Sequence, residues 1–175
     1  MSRPSWDDVW GDVADSIRWR SLCSNARAGA VIADEFNRVV STGYNGPPAG
    51  FEHSELSCKH WCPRGAMDEP LEKCVSVHAE ANALLSGDRS TWAGGTMYVT
   101  KHPCLECAKL IANSGLARLV VTAAAGPQEP RHTDVYRFLL EECGLEGDVR
   151  RTADVTPLKL KPPAGHGESW GDSLE

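Results

Sequence analysis

Val77-His78-Ala79-Glu80-Ala81-Asn82-Ala83-Leu84-Leu85 sets Val77, Ala81, Leu84 and Leu85 at helical spacing, so His78 and Glu80 fall in the first turn of a helix that ends at Ser86-Gly87. Downstream, Thr96-Met97-Tyr98-Val99-Thr100 reads as a strand. Its end delivers His102-Pro103-Cys104-Leu105-Glu106-Cys107 to the start of a second helix, Leu105 to Ser114, stopped by Gly115. Leu119-Val120-Val121-Thr122 is the next strand. Strand and helix alternating from residue 77 onward predict an α/β sheet with some parallel pairing.

The same stretches carry the chemistry. One imidazole, His78, and two thiols at Cys-x-x-Cys spacing, Cys104 and Cys107, can close three corners of a zinc tetrahedron and leave the fourth for water, the arrangement of a catalytic site. Glu80 need not ligate the metal and is placed to face that water as a proton carrier. Both ligand groups sit at helix N-termini, where the dipole favours thiolate and developing negative charge. Taken alone, Cys104-x-x-Cys107 is equally a redox pair or half of a structural zinc site. The redox reading has no use for His-Ala-Glu, and a structural zinc site has none for Glu80. His102 is able to bind zinc but lies on the strand side of Pro103 and is read as a bystander.

Working outward, Trp6, Trp10, Val13 and Ile17 recur at helical spacing between Asp7, Asp8, Asp12 and Asp15, so an amphipathic helix opens the chain with its tryptophans in the core. Ala28 to Ala33 and Arg38 to Thr42, joined by Asp34-Glu35-Phe36-Asn37, read as a β-hairpin. Gly43-Tyr44-Asn45-Gly46-Pro47-Pro48 then sets a tight loop. Residues 46–74 show little periodicity, and a loop of that length is uncommon in a compact domain unless it is functional or tied down. It carries His53, Cys58, His60, Cys62 and Cys74. Asp134 to Cys143, closed by Gly144, reads as a last helix with Cys143 as a buried, inert thiol, and Val149 to Val155 as a further strand. The tail 157–175, rich in Pro, Gly and charge, is expected to be mobile, leaving 1–156 as a single domain.

The chain has 175 residues, long enough to bury a core without staples. Its 18 Lys plus Arg against 24 Asp plus Glu give a net charge of −6, the wrong sign for a protein that grips a nucleic-acid backbone. No apolar run approaches the roughly 20 residues of a membrane span, and Met1 to Gly11 has no signal-peptide core, so a cytoplasmic location is expected. In a reducing compartment the seven cysteines are metal ligands or buried thiols rather than disulfides.

His-x-Glu followed by Pro-Cys-x-x-Cys is the signature of zinc-dependent deaminases. Together with Gly29-Ala30-Val31-Ile32, Ser41-Thr42-Gly43-Tyr44-Asn45-Gly46-Pro47, His78-Ala79-Glu80-Ala81-Asn82-Ala83-Leu84, Tyr98-Val99-Thr100 and Cys104-Leu105-Glu106-Cys107-Ala108-Lys109-Leu110-Ile111, it makes the chain resemble the deoxycytidylate deaminase family over about residues 20–122. Gly-Tyr-Asn-Gly after the hairpin narrows the resemblance to the branch acting on nucleotides. The resemblance implies a cytidine deaminase-like three-layer α/β/α sandwich with a five-stranded mixed sheet. It also implies hydrolysis of dCMP, or a 5-substituted dCMP, to the corresponding dUMP with release of ammonia. A homo-oligomer, dCTP and dTTP as effectors, and Mg2+ accompanying such a dNTP belong to the same expectation.

On that reading His78, Cys104 and Cys107 hold the catalytic zinc, and Glu80 shuttles protons to N3 of the cytosine and to the departing amine. Asn45 is the candidate for a sugar hydroxyl, with a turn asparagine as the plainer alternative, and Arg27 for a 5′-phosphate, with a solvated surface arginine as its alternative. Ala79 and Pro103 are further substrate contacts. Family members commonly staple the 46–74 insertion with a second zinc. Here Cys23, Cys58, Cys62 and Cys74 could close a tetrahedron, with His53 or His60 in place of one cysteine, or else be scattered thiols. Two rival functions stand beside this one, a deaminase of another cytosine compound or of tRNA or single-stranded nucleic acid, and a zinc-stabilised binding module without catalysis.

Overall fold

The computed structural model describes residues 3–23, 26–51, 75–122 and 142–149. Helix α1, Trp6–Ile17, starts with a capping box. The Ser5 hydroxyl accepts the Asp8 N–H at 3.2 Å and the Asp8 carboxylate accepts the Ser5 N–H at 3.0 Å, which satisfies two otherwise orphaned donors. A 3-10 turn, Arg18–Arg20, follows. Strands β1, Gly29–Ala33, and β2, Val39–Tyr44, form the expected hairpin. At its tip Asn37 takes φ 59° and the Asp34 carboxylate accepts the N–H groups of Phe36 and Arg38 at 2.9 and 2.8 Å. Then come α2, Ala79–Leu85; a short α3, Arg89–Trp92; β3, Thr96–Val99; α4, Leu105–Ala112; β4, Arg118–Val121; and β5, Glu146–Val149.

The strands lie in the order β2-β1-β3-β4-β5. β1 runs antiparallel to β2 and β3, while β3, β4 and β5 are mutually parallel, so the sheet is mixed. Alternation along the strands sorts the core into two faces. Ala30, Ile32, Met97, Val99, Leu119 and Val121 meet Ala79 and Ala83 of α2 and Ala108 and Ile111 of α4. Val31, Ala33, Tyr98 and Val120 meet Ala14 of α1. β1 is buried at every position because both faces are covered, as an interior strand requires.

Of the two tryptophans of α1, Trp10 packs against the core as expected and Trp6 departs from the expectation. Trp6 is 48% exposed and stacks on Trp10 with ring centroids 5.2 Å apart, and Trp10 is only partly buried. The reason is that α1 approaches the sheet through small residues, Gly11 and Ala14, with Gly29 of β1 set against the Ala14 carbonyl and leaving no room for a Cβ. That close seat pushes bulky rings to the helix flank. The helix is pinned polar-side as well. Asp7 takes both Arg118 guanidinium N–H groups at 2.8 Å and the Tyr98 hydroxyl at 3.0 Å. Burial, then the Asp7 carboxylate, pushes the Tyr98 hydroxyl up to about 12, so it remains a donor.

α4 ends at Ala112, two residues before the expected Ser114, with Gly115 at φ 86° in the turn beyond, and Gly144 takes φ 66°. Cys143 is exposed, not buried, because it stands at the chain turn before β5 rather than under the sheet. β5 begins before the stretch Val149 to Val155 that the sequence suggested. Residues 134–141, 150–155 and the tail 157–175 lie outside the described residues, as does most of the 46–74 insertion.

Candidate active site

Two helix N-termini converge on one point. His78 is the N-cap of α2 and Cys104 the N-cap of α4, both with extended backbone, φ −70° ψ 157° and φ −71° ψ 169°. Neither side chain caps its own helix, so each is aimed elsewhere. Cys107 follows one turn into α4 and is buried. His78 Nδ1 stands 3.4 Å from Cys104 Sγ and 3.4 Å from Cys107 Sγ. A zinc tetrahedron with Zn–N of about 2.0–2.1 Å and Zn–S of about 2.3 Å has an N···S edge of about 3.6 Å. The three ligand atoms, all within 4.8 Å of one another, therefore already stand near the spacing a single zinc ion needs. Among the described residues this is the one cluster of its kind, and His102 is not part of it.

Protonation fits the donor set. The hydrogen bond from Cys107, then His78, pulls the Cys104 thiol down to about 3, which makes it a thiolate. The same bond, with burial and the nearby Glu80 carboxylate, pushes Cys107 up, so the pair shares one proton. Metal binding displaces such a proton.

Glu80 lies in the first turn of α2, 5% exposed, and its carboxyl faces the Cys107 thiol closely enough to perturb it. Burial pushes its pKa up, against the downward pull of its own backbone N–H and of His78. A carboxyl beside a metal triad, held where it can exchange protons, is suited to general acid and base work. Ala79 is fully buried under the sheet, and Pro103, also buried, precedes Cys104.

The Gly-Tyr-Asn-Gly loop is fastened to this helix. Gly43 packs directly on the backbone of Ala79 and Ala83, where a Cβ would collide with the Ala79 carbonyl. Asn82 Nδ2 donates to the Tyr44 carbonyl at 2.8 Å, and Gly46 and Val77 exchange backbone hydrogen bonds of 3.1 and 2.8 Å. Asn45, 7% exposed, turns its amide to the backbone of Ala26 and Ala28. Arg27 and Arg18 each lie 5.1 Å from the centroid of the Trp19 ring. Sequence reading missed Asn82 and Trp19. The signal for Asn82 was its place four residues after His78, on the helix face that meets the loop.

Cys23 is half-buried and borders a small hollow with Leu22, Gly46, Pro47, Phe51 and Val75. His53, Cys58, His60, Cys62 and Cys74 lie outside the described residues. No helix among the described residues is long and apolar enough to cross a membrane.

A family model for the cytidine and deoxycytidylate deaminase zinc-binding region matches residues 4–123. The deoxycytidylate deaminase of Mycobacterium phage D29 is 44% identical over 129 residues, covering 69% of this chain and 96% of that protein. The deoxycytidylate deaminase of Saccharomyces cerevisiae is 37% identical over 123 residues, which span 69% of this chain and 38% of the longer yeast protein. In fold the chain is similar to the dCMP deaminase from the cyanophage S-TIM5, in a crystal structure with dCMP and dUMP, at TM-score 0.63 and 24% identity over 86% of this chain and 100% of that one. Because the family match spans most of the chain and takes in His78, Cys104 and Cys107, the chain belongs to the family of deaminases that carry the cytidine and deoxycytidylate deaminase zinc-binding region.

Proposed function

We propose that this protein deaminates dCMP, or a 5-substituted dCMP, hydrolytically to the corresponding dUMP with release of ammonia. The observation that carries the reading is His78 Nδ1 at 3.4 Å from both sulfurs, with a buried carboxyl, Glu80, in the first turn of the helix that His78 caps. Zinc, when bound by His78, Cys104 and Cys107, supplies a Lewis acid that makes a water acidic enough to lose its proton near neutrality. Glu80 accepts that proton, delivers it to N3 of the cytosine as the oxygen adds at C4, and carries a second proton to the amine as the C4–N bond breaks. The buried walls at Ala79 and Pro103 exclude bulk water from the base. Arg27 pairs with the 5′-phosphate as a charged hydrogen-bond donor. A binding module without catalysis has no use for Glu80, whose burial carries a desolvation cost.

A substrate panel tests this. Cytosine nucleosides, their mono-, di- and triphosphates and 5-substituted dCMP are followed by loss of cytosine absorbance. dCMP is expected to exceed deoxycytidine in kcat/KM by at least about a hundredfold, since an unpaired charged partner penalises the substrate that lacks the phosphate. Equal values point instead to a nucleoside deaminase.

The wider reading includes a three-layer α/β/α sandwich around a five-stranded mixed sheet, a homo-oligomer, a cytoplasmic location, and dCTP and dTTP as effectors with Mg2+. It also includes a second, structural zinc on Cys23, Cys58, Cys62 and Cys74, with His53 or His60 as alternative ligands. Cys23 shares its hollow with Val75, next in sequence to Cys74, and that supports the staple. Metal analysis of chelator-washed protein should find about two zinc per chain, falling to about one when Cys58 and Cys62 are both replaced by Ser. One zinc in the unaltered chain refutes the staple.

A further inference from the structure

Asn45 grips the main chain on both sides of Arg27. Its Oδ1 accepts the Ala28 N–H at 2.7 Å, its Nδ2 donates to the Ala26 carbonyl at 2.9 Å, and its own N–H donates to the Ala28 carbonyl at 3.2 Å. With Asn45 only 7% exposed, these bonds are shielded from competing water. The other end of Arg27 is steadied by the Trp19 ring, 5.1 Å from the guanidinium carbon.

The braced segment is also tied to both ends of the metal triad. Asn82 anchors the Tyr44 carbonyl to α2 at 2.8 Å, and the Gly46 to Val77 bridge ends one residue before His78. On its other side Gly29 exchanges hydrogen bonds with Thr100, the Gly29 N–H to the Thr100 hydroxyl at 2.9 Å and the Thr100 N–H to the Gly29 carbonyl at 3.1 Å. Thr100 leads directly into the turn that presents Cys104.

From this geometry we infer that Asn45 is a positioning residue for phosphate selection: by clamping residues 26–28 it holds Arg27, with Trp19 behind it, at a set place relative to Glu80. The inference rests on the proposed pairing of Arg27 with the 5′-phosphate. A guanidinium oriented before binding gives up less freedom when it pairs with phosphate, so loosening it penalises phosphorylated substrates selectively. The Asn45 amide keeps a second hydrogen and a second lone pair, and a sugar-hydroxyl contact made with them serves dCMP and deoxycytidine alike. The two roles therefore separate experimentally.

The readout is the ratio of kcat/KM for dCMP to that for deoxycytidine, with zinc content measured in every variant. Asn45→Ala is expected to lower the ratio about tenfold, mostly through KM for dCMP, with zinc unchanged. Trp19→Leu, at a residue 51% exposed and so tolerant of change, lowers the ratio in the same direction and decides the matter if Asn45→Ala fails to fold. In an Arg27→Met background Asn45→Ala produces no further change in the ratio, because the clamp acts through that guanidinium. Equal losses on both substrates in Asn45→Ala, or an unchanged ratio in a sole surviving Trp19→Leu, overturn the inference. Arg27→Met alone tests the underlying reading. An unaltered ratio there overturns the phosphate pairing itself, whereas a collapsed ratio there beside an unaltered one in Asn45→Ala overturns only the clamp.

Discussion

Glu80→Gln is expected to keep zinc and fold while lowering kcat on dCMP by about 10²–10⁴-fold, the usual worth of a positioned proton carrier. The amide has nearly the same shape as the carboxyl, and it costs less to bury at a position 5% exposed, so stability should hold or rise slightly. What it lacks is a site that takes a proton from water and returns it to N3 and the leaving amine. The loss should therefore fall on kcat, with KM for dCMP nearly unchanged. Steady-state kinetics with metal analysis on the same preparation separate this from trivial causes. Activity within about tenfold of the unaltered protein would remove Glu80 from the mechanism.

Cys104→Ala acts on the metal instead of the proton. It removes one of three protein ligands and the thiolate that the Cys107 hydrogen bond and His78 stabilise. One equivalent of zinc should be lost on chelator washing, with turnover falling below detection. Because metal-binding energy is also folding energy, the thermal midpoint should fall toward that of the chelator-stripped protein. The contrast with Glu80→Gln is diagnostic, one variant losing metal and turnover together and the other losing turnover alone. A Cys104→Ala protein that stays active after chelation would exclude the His78, Cys104, Cys107 site.

The parts of the site legible in the sequence are those encoded by short spacing. His78 and Glu80 are held by one helical turn, and Cys104 and Cys107 by another, so a local pattern suffices to place each pair. The meeting of the two pairs was read from the zinc-ligand set of one imidazole and two thiols, and the 3.4 Å approach of His78 Nδ1 to both sulfurs agrees with it. What escaped is long-range or depends on backbone approach. Nothing near Asn45 announces that its amide will reach the backbone of Ala26 and Ala28, because the bonds exist only once β1 and β2 have paired. The exposure of Trp6 likewise depends on how closely Gly11 and Ala14 seat α1 on the sheet, and a hydrophobic period cannot express that distance. Tyr98, Arg118 and Asp7 form their cluster across three elements, and each alone reads as an ordinary residue of its type.

The central claim is zinc-dependent conversion of dCMP to dUMP, and product stoichiometry tests it most directly. Protein loaded with zinc is incubated with dCMP, and ammonia and dUMP are measured together, before chelator stripping, after it, and after zinc is restored. One ammonia per dUMP, abolished by stripping and recovered with zinc, is the expected result. Absence of ammonia from dCMP with the His78, Cys104, Cys107 site fully loaded contradicts the account.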